Sequence, residues 1–175
     1  KYYFPRYVEI FRVIRFELLK DKSPFKTKWG FLFVGNKTMS SGAFEHTETL
    51  LVRKLLEETD ILINVGANIG YYCCHALNLD KQVIAFEPMP NNLHFLYKNL
   101  KLNNWKNIEV FPVALSKSNG LTEIYGDSTG ASLIKGWANI EPSFKTSIPI
   151  FIFDTLVVKK VEDKKALIII DIEGS

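Results

Sequence analysis

The stretch Ile61-Leu62-Ile63-Asn64-Val65-Gly66-Ala67-Asn68-Ile69-Gly70-Tyr71-Tyr72 constrains this chain more than any other. An aliphatic run leads into two glycines four positions apart, with an asparagine between them. A strand that ends at a sheet edge and turns at once into a helix needs residues that accept unusual backbone angles or a close neighbour, and glycine does both. A second oily run, Val83-Ile84-Ala85-Phe86, ends in Glu87-Pro88 about twenty residues further on. In that register the helix start points free N–H groups and a partial positive charge into a crevice. The acid at the end of the next strand can accept hydrogen bonds from a ribose diol. The pattern therefore predicts a crevice suited to an adenosine-containing ligand.

The rest of the chain fits a parallel α/β domain. Apolar periodicity predicts a helix over 7–20, a strand over 28–34 and a helix over 48–58, with Thr47 as its N-cap and Leu51, Leu55 and Leu56 as its apolar face. Then follow a strand at 60–65, a helix to about Leu79, and a strand at 82–86. A helix over 91–103 turns Leu93, Leu96, Tyr97 and Leu100 inward, and a strand covers 109–115. Strands alternating with helices imply a mostly parallel sheet with helices on both faces. Residues 121–125 and 148–153 read as short strands flanking a loop with Gly126, Gly130, Gly136 and Pro142, an antiparallel excursion inserted between parallel strands. Ala166 to Ile170 is a continuous apolar run, as in a central strand covered on both faces. Such a strand wants a neighbour on each side, so the natural sheet is expected to continue past Ser175, and the sequence given reads as truncated after the fourth core strand. The expected organisation is an N-terminal helix and strand extension over 1–45 and the α/β domain over 46–175.

Composition narrows the class. With 47% apolar and 23% charged residues and a net charge of +3, the 175-residue chain is mixed in charge. That balance does not indicate a nucleic-acid partner, and no apolar run reaches the length of a membrane span. The adjacent Cys73 and Cys74 are poorly placed to pair with each other and match no zinc spacing. They read as small buried residues in a reducing, cytoplasmic setting. The segment 7–20 reads as a packing helix or a homodimer contact, because Glu9 and Glu17 interrupt its basic face.

The turn reads GxNxG, not the GxGxxG of nicotinamide cofactors. Asn68 stands where a glycine would let a pyrophosphate approach, so a smaller ligand without phosphates, such as S-adenosylmethionine, fits better. Asn64 and Asn68 are candidates to bond its amino and carboxylate groups. Taken in order, INVGANIGYY, VIAFEPMPNN, FPVALSKSNG, IPIFIFDTL and IIIDIEGS resemble the successive motifs of the FkbM-type methyltransferases over roughly residues 45 to 175. The resemblance implies a Rossmann-like class I methyltransferase fold, S-adenosylmethionine as cofactor, and methyl transfer to hydroxyls of sugars or natural products. It implies cofactor contacts at Asn64, Gly66, Asn68, Gly70 and Tyr71, ribose binding by Glu87, and adenine flanked by Met89, Val113 and Ala114. It also implies an acceptor pocket that includes Ser132. Two departures stand out. The first strand carries Asn64 where the family usually has Asp, and Val113 offers no carboxylate to the adenine amine.

Asp171 and Glu173 follow the last strand. Residues two apart on extended chain share a side, so both carboxylates are candidates to position or deprotonate an acceptor hydroxyl. No metal site is expected. Two rival readings stand beside methyl transfer: a cofactor-binding or assembly module without turnover, and an NAD-dependent oxidoreductase.

Overall fold

A computed structural model describes residues 23–125 and 145–172. Its centre is a four-stranded parallel sheet made of β3 (Ile61–Val65), β4 (Gln82–Phe86), β5 (Ile108–Phe111) and β9 (Ala166–Ile170), in the order β5-β4-β3-β9. The registers are Ile61 to Gln82, Val83 to Ile108 and Ile61 to Ala166. Before the sheet come β1 (Phe25–Lys26), β2 (Leu32–Phe33), α1 (Lys37–Ser41) and α2 (His46–Glu57). The parallel strands are linked by α3 (Tyr71–Asn78) and α4 (Pro90–Leu102). A second sheet, ordered β6-β8-β7, holds β6 (Ala114–Leu115), β7 (Gly120–Tyr125) and β8 (Lys145–Phe151), and α5 (Phe153–Val157) returns the chain to β9. The β7–β8 pair is antiparallel, as the excursion requires. This is a Rossmann-like arrangement.

Burial follows from the sequence pattern. All five residues of β3 are buried, and so are four of the five in β4, as expected for strands covered on both faces. One face packs Leu62, Val83 and Ala85 against Leu56 of α2, Cys73, Ala76 and Leu77 of α3, and Leu96 and Leu100 of α4. The other packs Ile61, Ile63, Val65, Ile84 and Phe86 against Val113 and Val157. Both cysteines are free and buried. Burial pushes the Cys73 thiol up to about 12 and that of Cys74 well above its usual range, so neither presents a thiolate. His75 is fully buried against Trp29, Phe31 and Tyr71, and the Arg53 guanidinium donates to its Nδ1 at 3.0 Å. Burial, with Arg53 and Lys28 nearby, lowers its pKa to about 3, which keeps the ring neutral.

Several expectations are corrected. The strand over 28–34 is instead a short antiparallel hairpin, because Gly30 reverses the chain at φ 98°. Helix α2 begins at His46 with Glu45 at the cap position and no side-chain cap bond, so Thr47 lies inside the helix. Leu51 and Leu55 are exposed, and only Leu56 of that predicted face is buried. Tyr97 is half exposed. The strand over 109–115 splits in two, with Ala114–Leu115 joining the second sheet. Strand β9 is the edge of the described sheet. Leu167 and Ile169 pack on the helices, while Ile168 and Ile170 are exposed on the other side. The helix over 7–20 and Gly126, Gly130, Gly136 and Pro142 lie outside the described residues.

The hairpin is attached by side chains that imitate a strand. Asn99 of α4, fully buried, accepts from Val34 N at 2.7 Å and donates to Val34 O at 3.3 Å and Ile69 O at 2.9 Å. One helical turn on, Asn103 accepts from Leu32 N at 2.8 Å and donates to Leu32 O at 2.7 Å. The two amides thus satisfy alternate residues of β2 and its extension, groups that would otherwise be unpaired. Replacing Asn99 by Leu should lower the unfolding free energy by about 2–4 kcal/mol, because buried backbone groups lose their partners. Asn103→Leu, at the exposed end, should cost about 1 kcal/mol. Urea denaturation of the two variants checks the difference.

Candidate functional site

The candidate site lies where the strand order reverses. From β3 the chain builds β4 and β5 to one side, then returns to lay β9 on the other. At such a switch point the connections leave neighbouring strand ends in opposite directions and open a crevice. Here the strand ends on either side of that point carry the Gly66–Gly70 turn after β3 and Asp171 after β9.

The turn alternates its backbone. Gly66, Asn68 and Gly70 have φ of 82°, 52° and 86°. Two are glycines, and asparagine is among the few side-chain-bearing residues that visit this region routinely. The asparagine in GxNxG is therefore first of all a conformational choice. Phe86 O accepts from both Gly66 N and Ala67 N at 2.9 Å, and Gly70 N donates to Ala67 O at 2.8 Å. A Cβ on Gly66 would stand 2.0 Å from the carbonyl oxygen of Asp171. Asp171 N in turn donates to Val65 O at 2.9 Å, so the two chains run in contact one residue past the sheet. A Cβ on Gly70 would meet only the end of a side chain, Leu96 Cδ1, at 2.3 Å.

Glu87 closes the turn from the side of β4. It is 4% exposed, and three donors reach its carboxylate. Asn68 N donates to Oε2 at 2.7 Å, while Met89 N at 2.9 Å and Asn92 Nδ2 at 3.1 Å donate to Oε1. Burial raises its pKa above the usual carboxylate value, and the bonds from Met89, Asn92 and Asn68 oppose the rise. An ionised carboxylate has about four acceptor positions. Oε1 is filled by two donors, and Oε2 retains one position.

With this geometry in hand, the comparison with known families is decisive. The methyltransferase FkbM domain matches residues 64–175, well over half of the chain. The chain belongs to the FkbM methyltransferase family. No curated protein matches it. Among solved structures it is similar to M. jannaschii TYW2 in complex with AdoMet (28% identity, 46% of this chain and 37% of that one, TM-score 0.36). It is also similar to precorrin-6y C5,15-methyltransferase from Geobacter metallireducens GS-15 (22%, 45% and 42%, TM-score 0.36). An O-methyltransferase family protein from Burkholderia thailandensis is a third (12%, 61% and 36%, TM-score 0.34). The chain spans less than half the length of each.

The residues of the FkbM motifs fall into three groups. Gly66, Asn68, Gly70 and Glu87 come together as one connected unit. Met89 and Ala114 share a second cluster with Ile124 and Ile148, at the junction of the two sheets, while Val113 packs beneath it with Phe86. Two side chains are placed elsewhere than expected. Asn64 is buried, and its amide reaches Cys73 Sγ at 3.5 Å, so it is directed at α3 through the interior. Tyr71 is also buried, its ring packed among Phe33, Phe44 and His75. The neighbouring Tyr72 is the less buried of the pair and donates to Glu45. The Tyr71 ring thus joins the cluster that holds the hairpin residues Phe31 and Phe33. Asp171 is exposed beside Gly66. Glu173 and Ser132 lie outside the described residues. Among the described residues no cluster of His, Cys, Asp or Glu could hold a metal ion, and no helix is long and apolar enough to cross a membrane.

Sequence reasoning missed Asn92 and Asn99. The signal was present: Asn92, Asn99 and Asn103 recur at spacings of seven and four, one polar stripe on a helix whose neighbours on that side are apolar.

The two glycines should respond differently to alanine. Gly70→Ala should cost about 1–2 kcal/mol, the strain of a left-handed residue, because Leu96 can change rotamer. Gly66→Ala should cost distinctly more, since a backbone carbonyl must move. Chemical denaturation checks this, and equal costs would contradict the Gly66–Asp171 contact.

Proposed function

We propose that this FkbM-family chain carries the cofactor wall of an S-adenosylmethionine-dependent O-methyltransferase acting on a hydroxyl of a sugar, glycan or natural product. The observation that carries the reading is the Glu87 carboxylate, clamped onto the glycine turn with one acceptor position left on Oε2. A ribose hydroxyl donating there would make a charge-assisted bond in a site sheltered from water. Met89 and Ala114, already packed together, supply an apolar surface for the adenine. The turn between Gly66 and Gly70, at the start of α3, receives the methionine end.

S-adenosylmethionine brings a methyl group already activated on a sulfonium. The chain's own task is then to hold the acceptor in line and to manage its proton. Asp171 leaves β9 at the crevice, so it is the side chain proposed to orient the acceptor hydroxyl or accept its proton, with Glu173 as its partner and Ser132 in the acceptor pocket.

S-adenosylhomocysteine titrated calorimetrically into the protein should bind at neutral pH, and NAD should not compete. Glu87→Gln should weaken binding by about 1–3 kcal/mol, the range for hydrogen bonds to a charged group. The raised pKa sets the pH dependence. A ribose hydroxyl donates to the ionised form, so affinity should fall as pH drops through the folded-state pKa of Glu87, and the fall should begin above the ordinary value of 4.5. Competition by NAD, or equal affinity in the variant, would remove this reading.

A further inference from the structure

Two buried asparagines of helix α4 reach the glycine turn, Asn99 directly and Asn92 through Glu87. Asn99 donates to Ile69 O at 2.9 Å. Asn92 acts one step removed, because its amide donates to Glu87 Oε1, and Glu87 Oε2 accepts from Asn68 N. Asn92 is only 4% exposed and sits in the first turn of the helix. Burying an amide among apolar neighbours is costly unless it bonds, so its presence there asks for a reason beyond packing.

The connection to Glu87 is short and stiff. Pro88 and Pro90 flank Met89, and Pro90 opens α4. Fixed φ at both prolines holds the helix start at a set distance from the strand end. Within that frame Met89 N and Asn92 Nδ2 both donate to Oε1, and Asn68 N alone donates to Oε2. Two donors on one oxygen and one on the other leave the carboxylate a single favourable rotation. That rotation leaves the spare acceptor position on the oxygen bonded to the turn.

We infer that Asn92 is a positioning residue: its amide loads Oε1 of Glu87, fixing the carboxylate so that Oε2 serves the ligand. That Oε2 meets a ribose rests on the function proposed above. The orientation of the carboxylate does not.

The test separates the two. Carbon-13 NMR of Glu-labelled, ligand-free protein, with Glu87→Gln to assign the signal, follows the titration of the Glu87 carboxyl. Removing a donor to the charged form must raise its midpoint. Asn92→Leu should therefore titrate at higher pH than the wild type. Asn92→Asp should show two coupled carboxyls that titrate in two separate steps, the upper one raised, as paired acids do. S-adenosylhomocysteine affinity, measured at neutral pH well below the melting temperature, should fall about tenfold in Asn92→Leu. In Asn92→Asp it should fall progressively as pH rises and the second charge appears. An unmoved Glu87 midpoint in both variants overturns the inference whatever the ligand does. A shifted midpoint with unchanged affinity overturns the ligand-facing half of it. A shifted midpoint in a protein whose wild type does not bind S-adenosylhomocysteine upholds the positioning of Glu87 and removes the adenosine reading instead.

Discussion

A carboxylate buried at the end of a central strand is the constraint around which this domain is arranged. Taking a charged carboxylate out of water is costly, and the cost is tolerable only when donors converge on it. Glu87 has three, drawn from three separate places: the glycine turn, its own loop, and the first turn of α4. Each donor needs Glu87 as well. Asn68 N lies in a left-handed turn with no ladder to join, and Met89 N stands ahead of a helix whose first turn has no carbonyl for it. One acid therefore registers β4, the turn after β3 and α4 against each other. A proton on that acid would turn a shared acceptor into a donor, which links the geometry of the turn to the charge of the site.

Helix α4 does the corresponding work on the other side. Its asparagines at 92, 99 and 103 replace what would elsewhere be a neighbouring strand or a set of caps. Asn103 and Asn99 hold the N-terminal hairpin by its backbone, and Asn99 continues to the carbonyl of Ile69. The hairpin and the turn thus share one amide. Phe31, Phe33 and Tyr71 complete the connection through packing. Residues of the 25–44 segment consequently pack against α3, which follows the glycine turn.

What was legible in the sequence was what depends on local periodicity. Continuous apolar runs at 61–65 and 82–86 with glycines between them specify strand, turn and strand in order, because parallel strands covered on both faces leave little choice. Side-chain direction was less legible, for a physical reason. When both faces of a strand are buried, alternation carries no information, so nothing distinguished an Asn64 aimed at a ligand from one aimed at Cys73. The same holds for Tyr71 and Tyr72: two adjacent aromatics after a left-handed glycine differ only in which neighbour fills the space, and the hairpin that fills it was itself read as one strand. Leu51 and Leu55 looked like a buried face because the helical period is clear, but the period does not say what lies opposite.

The contact between Gly66 and Asp171 bears on how such a site would work. In the proposed reaction, methyl transfer needs the acceptor oxygen, the methyl carbon and the sulfur in line, and small misplacements are expensive in rate. Under that proposal the cofactor side would be set by the turn after β3, and the acceptor side by the segment after β9. At Gly66 the two backbones lie so close that not even a methyl group fits between them, and Asp171 N is bonded to Val65 O. A shift of the turn is therefore transmitted directly to the backbone that carries Asp171. In-line geometry is then a property of the paired strand ends, and the same close approach that demands glycine at position 66 would keep the two reactants in register.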